Sequence, residues 1–287
     1  MKPRSTSVLV LGAGGMLGCA VAYELDRLGY SVAGLDRSRF DVLNEPVTKL
    51  RVSEADYVVN AIGLINRREK TEAGNFRAIN SHFPRELADY CAARSARLIH
   101  ISTDCVYDGR AGPYTESDAS TAQDLYGRSK AMGEPSNCLV LRTSVIGPER
   151  RHFYSLLTWF LSQTGACRGY RNHRWNGMTT IQFARVIHKI IENDLFTRGV
   201  RHVFSDDTTK LDLLLLLRET YQTSVDVLPY DDDRARDTRL RTNHPEFVQR
   251  LGIPDLRAQL SELPALSDAL GRWRMEALAK FGLSPAA

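Results

Sequence analysis

The chain contains no C-x-x-C pair, and its five cysteines, Cys19, Cys91, Cys105, Cys138 and Cys167, are an odd, scattered set. That excludes a disulfide framework and a zinc-ligand spacing, and it implies a reducing, cytoplasmic compartment. Long apolar runs are also missing. Ser7–Leu11 is too short for a secretory signal and runs into a glycine turn. Leu211–Leu217 is broken by Asp212 and falls short of the roughly 18 apolar residues of a membrane span; it reads as a buried helix. A large charge excess is absent as well: the net charge is +4 over 287 residues. The arginines are scattered, and the short runs Arg67-Arg68-Glu69-Lys70 and Arg150-Arg151 read as solvated faces. Nucleic acid is therefore not an expected partner, and an anionic small molecule suits the modest basicity better. No metal constellation is present: Asp231–Asp233 reads as a solvated turn, and His173 has no second ligand at helical spacing.

What is present is ordinary soluble composition, 25% charged and 43% hydrophobic, with length for one large domain or two intertwined ones. Short apolar runs at Val8–Leu11, Ser31–Leu35, Tyr57–Asn60, Leu98–Ile101 and Leu139–Arg142 read as strands. Helical periodicity runs from Met16 to Leu28, from Phe76 to Arg94, and through the segment carrying Tyr126. Strands alternating with helices predict a Rossmann-like α/β fold, a doubly wound parallel sheet covered on both faces. After about residue 150 the rhythm changes. An apolar helix over 153–164, a polar aromatic loop Tyr170–Gly177, a helix Thr180–Glu192, a strand Val200–Phe204 and a mainly helical remainder follow. The expected division is residues 1–150 plus about 178–204 as the NAD(P)-binding domain, with about 151–177 plus 205–287 as a smaller substrate lobe. Lys2–Ser7 and Ser284–Ala287 are expected to fray.

Gly12-Ala13-Gly14-Gly15-Met16-Leu17-Gly18 leaves the first strand and opens the first helix, the context a dinucleotide fingerprint requires. Its glycines allow a tight turn and a close pyrophosphate, and the helix start supplies free N–H groups. Gly12, Gly15, Met16 and Leu17 are the expected contacts. Asp36 ends the second strand 18 residues after Gly18. A carboxylate there suits the ribose 2′-hydroxyl of NAD, whereas Arg37 and Arg39 suit the 2′-phosphate of NADP. The reading leans to NADPH and leaves NADH open; Asp41 and Val42 follow at the adenine edge.

Tyr126 alone among eleven tyrosines has lysine at +4, Lys130. On a helix these share a face, and a nearby cation favours phenolate. With a hydroxyl such as Thr103 to hold a carbonyl, the trio suits proton transfer coupled to hydride transfer.

These three elements, in order and spacing, resemble the extended short-chain dehydrogenase/reductase superfamily. Ile101–Gly109, Gly112–Asp118 and Tyr126–Glu134 are similar to the dTDP-4-dehydrorhamnose reductases and their sugar-nucleotide relatives, as are Leu141–Ser144 and Asn176–Thr180. The resemblance covers roughly residues 7–190. It implies reduction of a 4-keto-6-deoxy sugar on a nucleoside diphosphate, in deoxysugar biosynthesis. Tyr126 would then be the general acid, Lys130 would lower its pKa and hold the nicotinamide ribose, and Thr103 would bind the carbonyl. Asn60, Ala61, Ile62 and Gly63 would line the cofactor; Asp104, Val106 and Asn176 would face the substrate. A homodimer is compatible with this reading. Two departures leave the sugar open: Cys105 replaces a usual tyrosine and Ile65 a usual threonine. Cys105 reads as a packing residue, because no activating partner is evident.

Other chemistries remain on this fold. A 4,6-dehydratase places an Asp-Glu pair after the threonine, where this chain has Asp104-Cys105. A 4-epimerase keeps its NAD bound and is left open. A non-catalytic NADP-binding module, like the regulatory subunit of methionine adenosyltransferase, has less reason to keep Thr103, Tyr126 and Lys130 together.

Overall fold

The computed structural model describes residues 6–65, 72–149 and 155–281. The Arg67–Lys70 run, Arg150, Arg151 and the expected frayed ends at residues 2–5 and 284–287 lie outside the described residues. Strand β1 (Ser7–Leu11) leads through the glycine turn into helix α1 (Met16–Arg27), then β2 (Ser31–Leu35) and β3 (Tyr57–Asn60). Helices α2 (Ala73–Arg77) and α3 (Phe83–Ala92) come next, joined by a wide π-type turn over Ala78–His82. β4 (Arg97–Ile101), α4 (Leu125–Met132) and β5 (Leu139–Arg142) complete this part. The predicted helix Phe76–Arg94 thus starts earlier and is interrupted, for a reason that lies in the site below.

The second part runs β6 (Val145–Ile146), α5 (Leu156–Leu161), β7 (Ala166–Tyr170), β8 (His173–Trp175), β9 (Met178–Thr179) and α6 (Thr180–Glu192). β10 (Gly199–His202), β11 (Thr208–Thr209), α7 (Lys210–Tyr221), β12 (Asp226–Tyr230) and β13 (Arg236–Asp237) follow. The chain ends in α8 (Pro245–Leu251), α9 (Leu256–Ser261) and α10 (Leu263–Phe281). No described helix is long and apolar enough to cross a membrane.

The main sheet has the order β10-β5-β4-β3-β1-β2, and every pairing in it is parallel. Alternate residues explain the continuous apolar runs. Val8, Val10, Val59, Ile99 and Leu141 pack with residues of α1 and α6. Leu9, Leu11, Val58, Leu98 and Val140 pack with Phe83, Leu87 and Cys91 of α3. Both faces are therefore dry, and each such side chain contributes roughly 1.5–3 kcal/mol of transfer free energy.

The rest is mainly helical, as expected, with short strands added. β8 sits between β11 and β13, and β12 pairs in parallel with β7. Half of the expected loop Tyr170–Gly177, Tyr170 and His173–Trp175, is therefore strand. The Asp231–Asp233 turn is paired rather than merely solvated: Arg171 bonds Asp231, and His173 Nε2 lies 3.1 Å from Asp232.

Candidate active site at the carboxyl ends of the strands

β1, β3 and β4 end side by side, where open parallel sheets hold their ligands. At the end of β1 the Gly12 and Ala13 N–H groups donate to Leu35 O, at 2.8 and 3.0 Å. Gly12 has φ +80°, and a Cβ on Gly18 would lie 2.1 Å from Gly12 O. That contact is what lets α1 start hard against the turn. Gly15 caps α1 without a side-chain bond, and no acidic residue occupies its first turn. The N–H groups around Met16 and Leu17 are thus left for an anion, which is the fit a pyrophosphate needs.

Asp36 is buried, and its Oδ1 accepts from Ser38 N and Oγ at 3.1 and 2.6 Å. This engagement holds the turn after β2. Arg37 projects outward at 75% side-chain exposure and meets Asp41 at 3.3 Å. The Asp41 carboxylate is committed to its own turn, accepting from Leu43 N and Asn44 Nδ2. Val42 lines a surface cavity with Gly74, Arg77, His82 and Phe83.

At the end of β3 the Ala61 N–H donates to Leu11 O (3.0 Å), and Ile62 N–H to Asn60 Oδ1 (3.1 Å). Asn60 Nδ2 lies 3.1 Å from His100 Nδ1, so His100 accepts there. Burial, with Lys130 nearby, pushes the His100 pKa well below the usual imidazole value. Gly63 lies near α4: a Cβ there would be 4.0 Å from Lys130 Nζ. Asn80, in the π-type turn, exchanges hydrogen bonds with Leu64 N and O at 2.8 Å and donates to Ser129 Oγ at 2.9 Å. It ties the 61–65 loop to α4, and π-type turns recur at functional sites. The sequence reading missed Asn80, since nothing in helical periodicity marks a turn widened to aim one amide.

Thr103 follows β4 and caps the turn Asp104–Val106: its Oγ1 accepts from Cys105 N (3.1 Å) and donates to Asp104 Oδ1 (3.2 Å). Asp124 caps α4 by accepting from Gly127 N at 3.0 Å, and α4 carries Tyr126 and Lys130. Gly127 is pressed on the Thr103 turn, where a Cβ would meet Cys105 O at 2.2 Å. That close approach sets Tyr126 beside Thr103, whose hydrogen bonding acts on the phenol. Lys130 is buried and donates from Nζ to Ile101 O at 2.7 Å; burial lowers its pKa to about 8.

The expected lowering of the Tyr126 pKa is not what this arrangement gives. Burial raises it, the neighbouring Cys105 and Asp104 raise it further, and only Thr103 opposes. Desolvation of a phenolate outweighs a cation whose ammonium is turned to Ile101 O.

Asp104 is 5% exposed, and burial raises its pKa against the opposing influence of Lys210, Thr103 and Thr238. Val106 is fully buried, packed with Tyr107, Tyr114 and Leu240. It supports the turn and does not present a side chain to an open cleft. Cys105 Sγ lies 3.6 Å from Asp104 Oδ1. Asn176 is also corrected as a substrate contact. It is 2% exposed, with Nδ2 donating to Leu240 O and Oδ1 accepting from Leu240 N, both at 2.9 Å. Its amide is consumed in pinning the 240 segment to β8.

Residues 6–247 match the family described as RmlD substrate binding domain. The chain belongs to that family. A dTDP-4-dehydrorhamnose reductase of Mycobacterium tuberculosis is 35% identical over 141 residues, 47% of this chain and 46% of that protein. The chain thus matches about half the length of such curated relatives. A solved dTDP-4-dehydrorhamnose reductase from Clostridium acetobutylicum superposes with TM-score 0.77 at 21% identity, over 92% of this chain and all of that one. One from Bacillus anthracis, in complex with NADP, superposes with TM-score 0.77 at 19% identity, over 90% of this chain and 98% of that one. These two solved structures thus share the doubly wound parallel sheet described above.

Proposed function

We propose that the chain reduces the 4-keto group of a 6-deoxy sugar carried on a nucleoside diphosphate, with NADPH as the reductant. The observation that carries this reading is that Lys130 Nζ reaches Ile101 O at the end of β4 while Tyr126, on the same helix, lies beside Thr103 just after that strand. The M. tuberculosis relative's name, a dTDP-4-dehydrorhamnose reductase, supports the substrate class. In this reading, residues 1–150 with about 178–204 hold the cofactor, and about 151–177 with 205–287 form the substrate lobe.

The residues of the cradle fit a dinucleotide. The uncapped start of α1 takes the pyrophosphate, Val42 and its cavity the adenine, and Ala61-Ile62-Gly63 the nicotinamide side. Asp36 is buried against Ser38 while Arg37 is extended into solvent. This favours a 2′-phosphate over a bare 2′-hydroxyl, and the B. anthracis relative was solved with NADP. When bound, the nicotinamide supplies the hydride.

The chain's own groups handle the oxygen. Thr103 Oγ1 turns its single hydrogen from Asp104 to the substrate carbonyl and orients it. Tyr126 gives its proton to that oxygen as the carbonyl carbon becomes C–H, leaving an alcohol. A phenol held protonated by burial is suited to this direction, because a general acid must carry its proton into the transition state. Lys130 stabilises the phenolate that remains.

The test is NADPH oxidation with a dTDP-4-keto-6-deoxy sugar, comparing wild type with Tyr126→Phe. The variant is expected to lose about 10²–10⁴ in kcat while retaining NADPH affinity. Turnover of Tyr126→Phe at the wild-type rate would overturn the mechanism.

A further inference from the structure

Lys210 is a charged group at the site that the reaction above does not use. It opens α7 directly after β11, and β11 pairs antiparallel with β8, Thr208 opposite Trp175 and Thr209 opposite Arg174. This pairing brings the lysine over the Trp175 indole, its Nζ 4.6 Å from the ring centroid. The indole is a fixed platform: Trp175 is 3% exposed, and a Cβ on Gly177 would come within 2.1 Å of its Cζ2. Lys210 itself is only partly buried. An ammonium has three donors, and among the described residues none is hydrogen-bonded. Its electrostatic partners are Asp104 and the neighbouring Cys105.

Asp104 completes the geometry. It directly follows Thr103, and its Oδ1 already receives Thr103 Oγ1 at 3.2 Å and Cys105 Sγ at 3.6 Å. Carboxylate oxygens have spare acceptor sites. Lys210 and Asp104 make no direct ion pair among the described residues, yet they act on each other electrostatically, so a donor-only ammonium and an acceptor-only carboxylate neighbour each other one residue from the group that holds the carbonyl.

We propose that Lys210 and Asp104 form the subsite that binds the ring hydroxyl on the carbon next to the keto group, and that Lys210 sets the enzyme's selectivity for sugars bearing it. The proposal rests on the sugar-reduction reading. A hydroxyl has one donor and two acceptor sites; it donates to Asp104 and accepts from Lys210, satisfying both at once. On a 4-keto-6-deoxy ring this is the C3 hydroxyl, because the other neighbouring carbon bears the methyl group. A site built to bond a hydroxyl rejects the analogue lacking it, since its own polar groups are then left unpaired.

The experiment compares wild type and Lys210→Met in steady-state NADPH oxidation with the dTDP-4-keto-6-deoxy sugar and with its 3-deoxy analogue. NADPH affinity and melting temperature are measured on both proteins. The expected result is a KM for the full sugar raised about 10–100-fold in the variant, the scale of a lost charge-assisted hydrogen bond. NADPH affinity and melting temperature stay at wild-type values. Wild type discriminates strongly against the 3-deoxy analogue, and Lys210→Met loses most of that discrimination. An unchanged KM overturns the proposal, and so does a variant that still discriminates like wild type. A matched drop in melting temperature and NADPH affinity assigns Lys210 to folding and overturns it too. If wild type itself shows no sugar-dependent NADPH oxidation, the reduction reading falls, and that is visible without any variant.

Discussion

Lys130 carries a defined pH expectation. Its ammonium is buried with Ile101 O as acceptor, and burial lowers its pKa to about 8, partly offset by Glu134. Below that pH the group is charged and can steady a phenolate; above it the charge is lost. The pH profile of kcat/KM should therefore hold level below about 8 and fall above it. Lys130→Met should be slower throughout and lack that limb; a variant with the same alkaline limb would assign the titration to another group. The same shift has a stability consequence of opposite sign. The free lysine titrates near 10.5, so between about 8 and 10.5 the unfolded chain binds more protons than the native one. In that window this group's contribution to stability rises with pH, because the cost of burying a charge disappears. Loss of activity above pH 8 should thus precede any loss of fold. That Tyr126 and Lys130 share one helix was legible in the sequence, because their spacing is that of one helix face. The direction of the Tyr126 shift was not, since desolvation depends on what closes over the ring.

At the level of elements, the π-type turn Ala78–His82 is the part most exposed to test. Asn80 is fully buried and holds Leu64 by both backbone groups while reaching Ser129 on α4. Asn80→Ala leaves the Leu64 N–H and C=O without these partners, at about 1–3 kcal/mol for each group that stays buried. Urea unfolding should register that loss, and NADPH affinity should fall as the 61–65 loop detaches from α4. Wild-type values for both would mean the turn is incidental. Four of the five strands predicted in the first 150 residues were readable because they are buried on both faces, the exception being the edge strand β2. Their apolar runs, Tyr57–Asn60 for example, need no partner to be recognised. β8, β11 and β13 were not readable. Two or three residues such as His173–Trp175 show no period, and their partners lie 33 to 63 residues away. Asn176 was misjudged for a related reason, since its partner Leu240 is 64 residues on.

Across the whole molecule, one buried polar network joins the sheet, the end of α4 and the C-terminal segment. Arg142 on β5 grips Glu134, just past α4, through Nε and Nη2 at 2.9 and 2.7 Å, with both side chains 8% exposed. Glu134 also accepts from Ser102 Oγ at 2.5 Å, and Arg142 donates to Tyr107 Oη at 2.5 Å. His202 on β10 continues the chain: its Nδ1 lies 2.8 Å from Arg241 O, and its N–H donates to Glu116, which also binds Thr242 and Asn243. Burial of ions is costly, so such a pair adds little net stability over apolar residues of like volume, yet breaking one side strands a charge. Arg142→Met should cost about 3–5 kcal/mol, read from the urea midpoint, and should lower kcat because α4 loses its anchor. Arg142→Met with Glu134→Leu should recover most of the stability while kcat stays low, since the apolar pair fills the space but no longer ties α4 to Ser102 and Tyr107. A single variant within about 1 kcal/mol of wild type would show that the network neither holds the two halves together nor positions the helix that carries Tyr126.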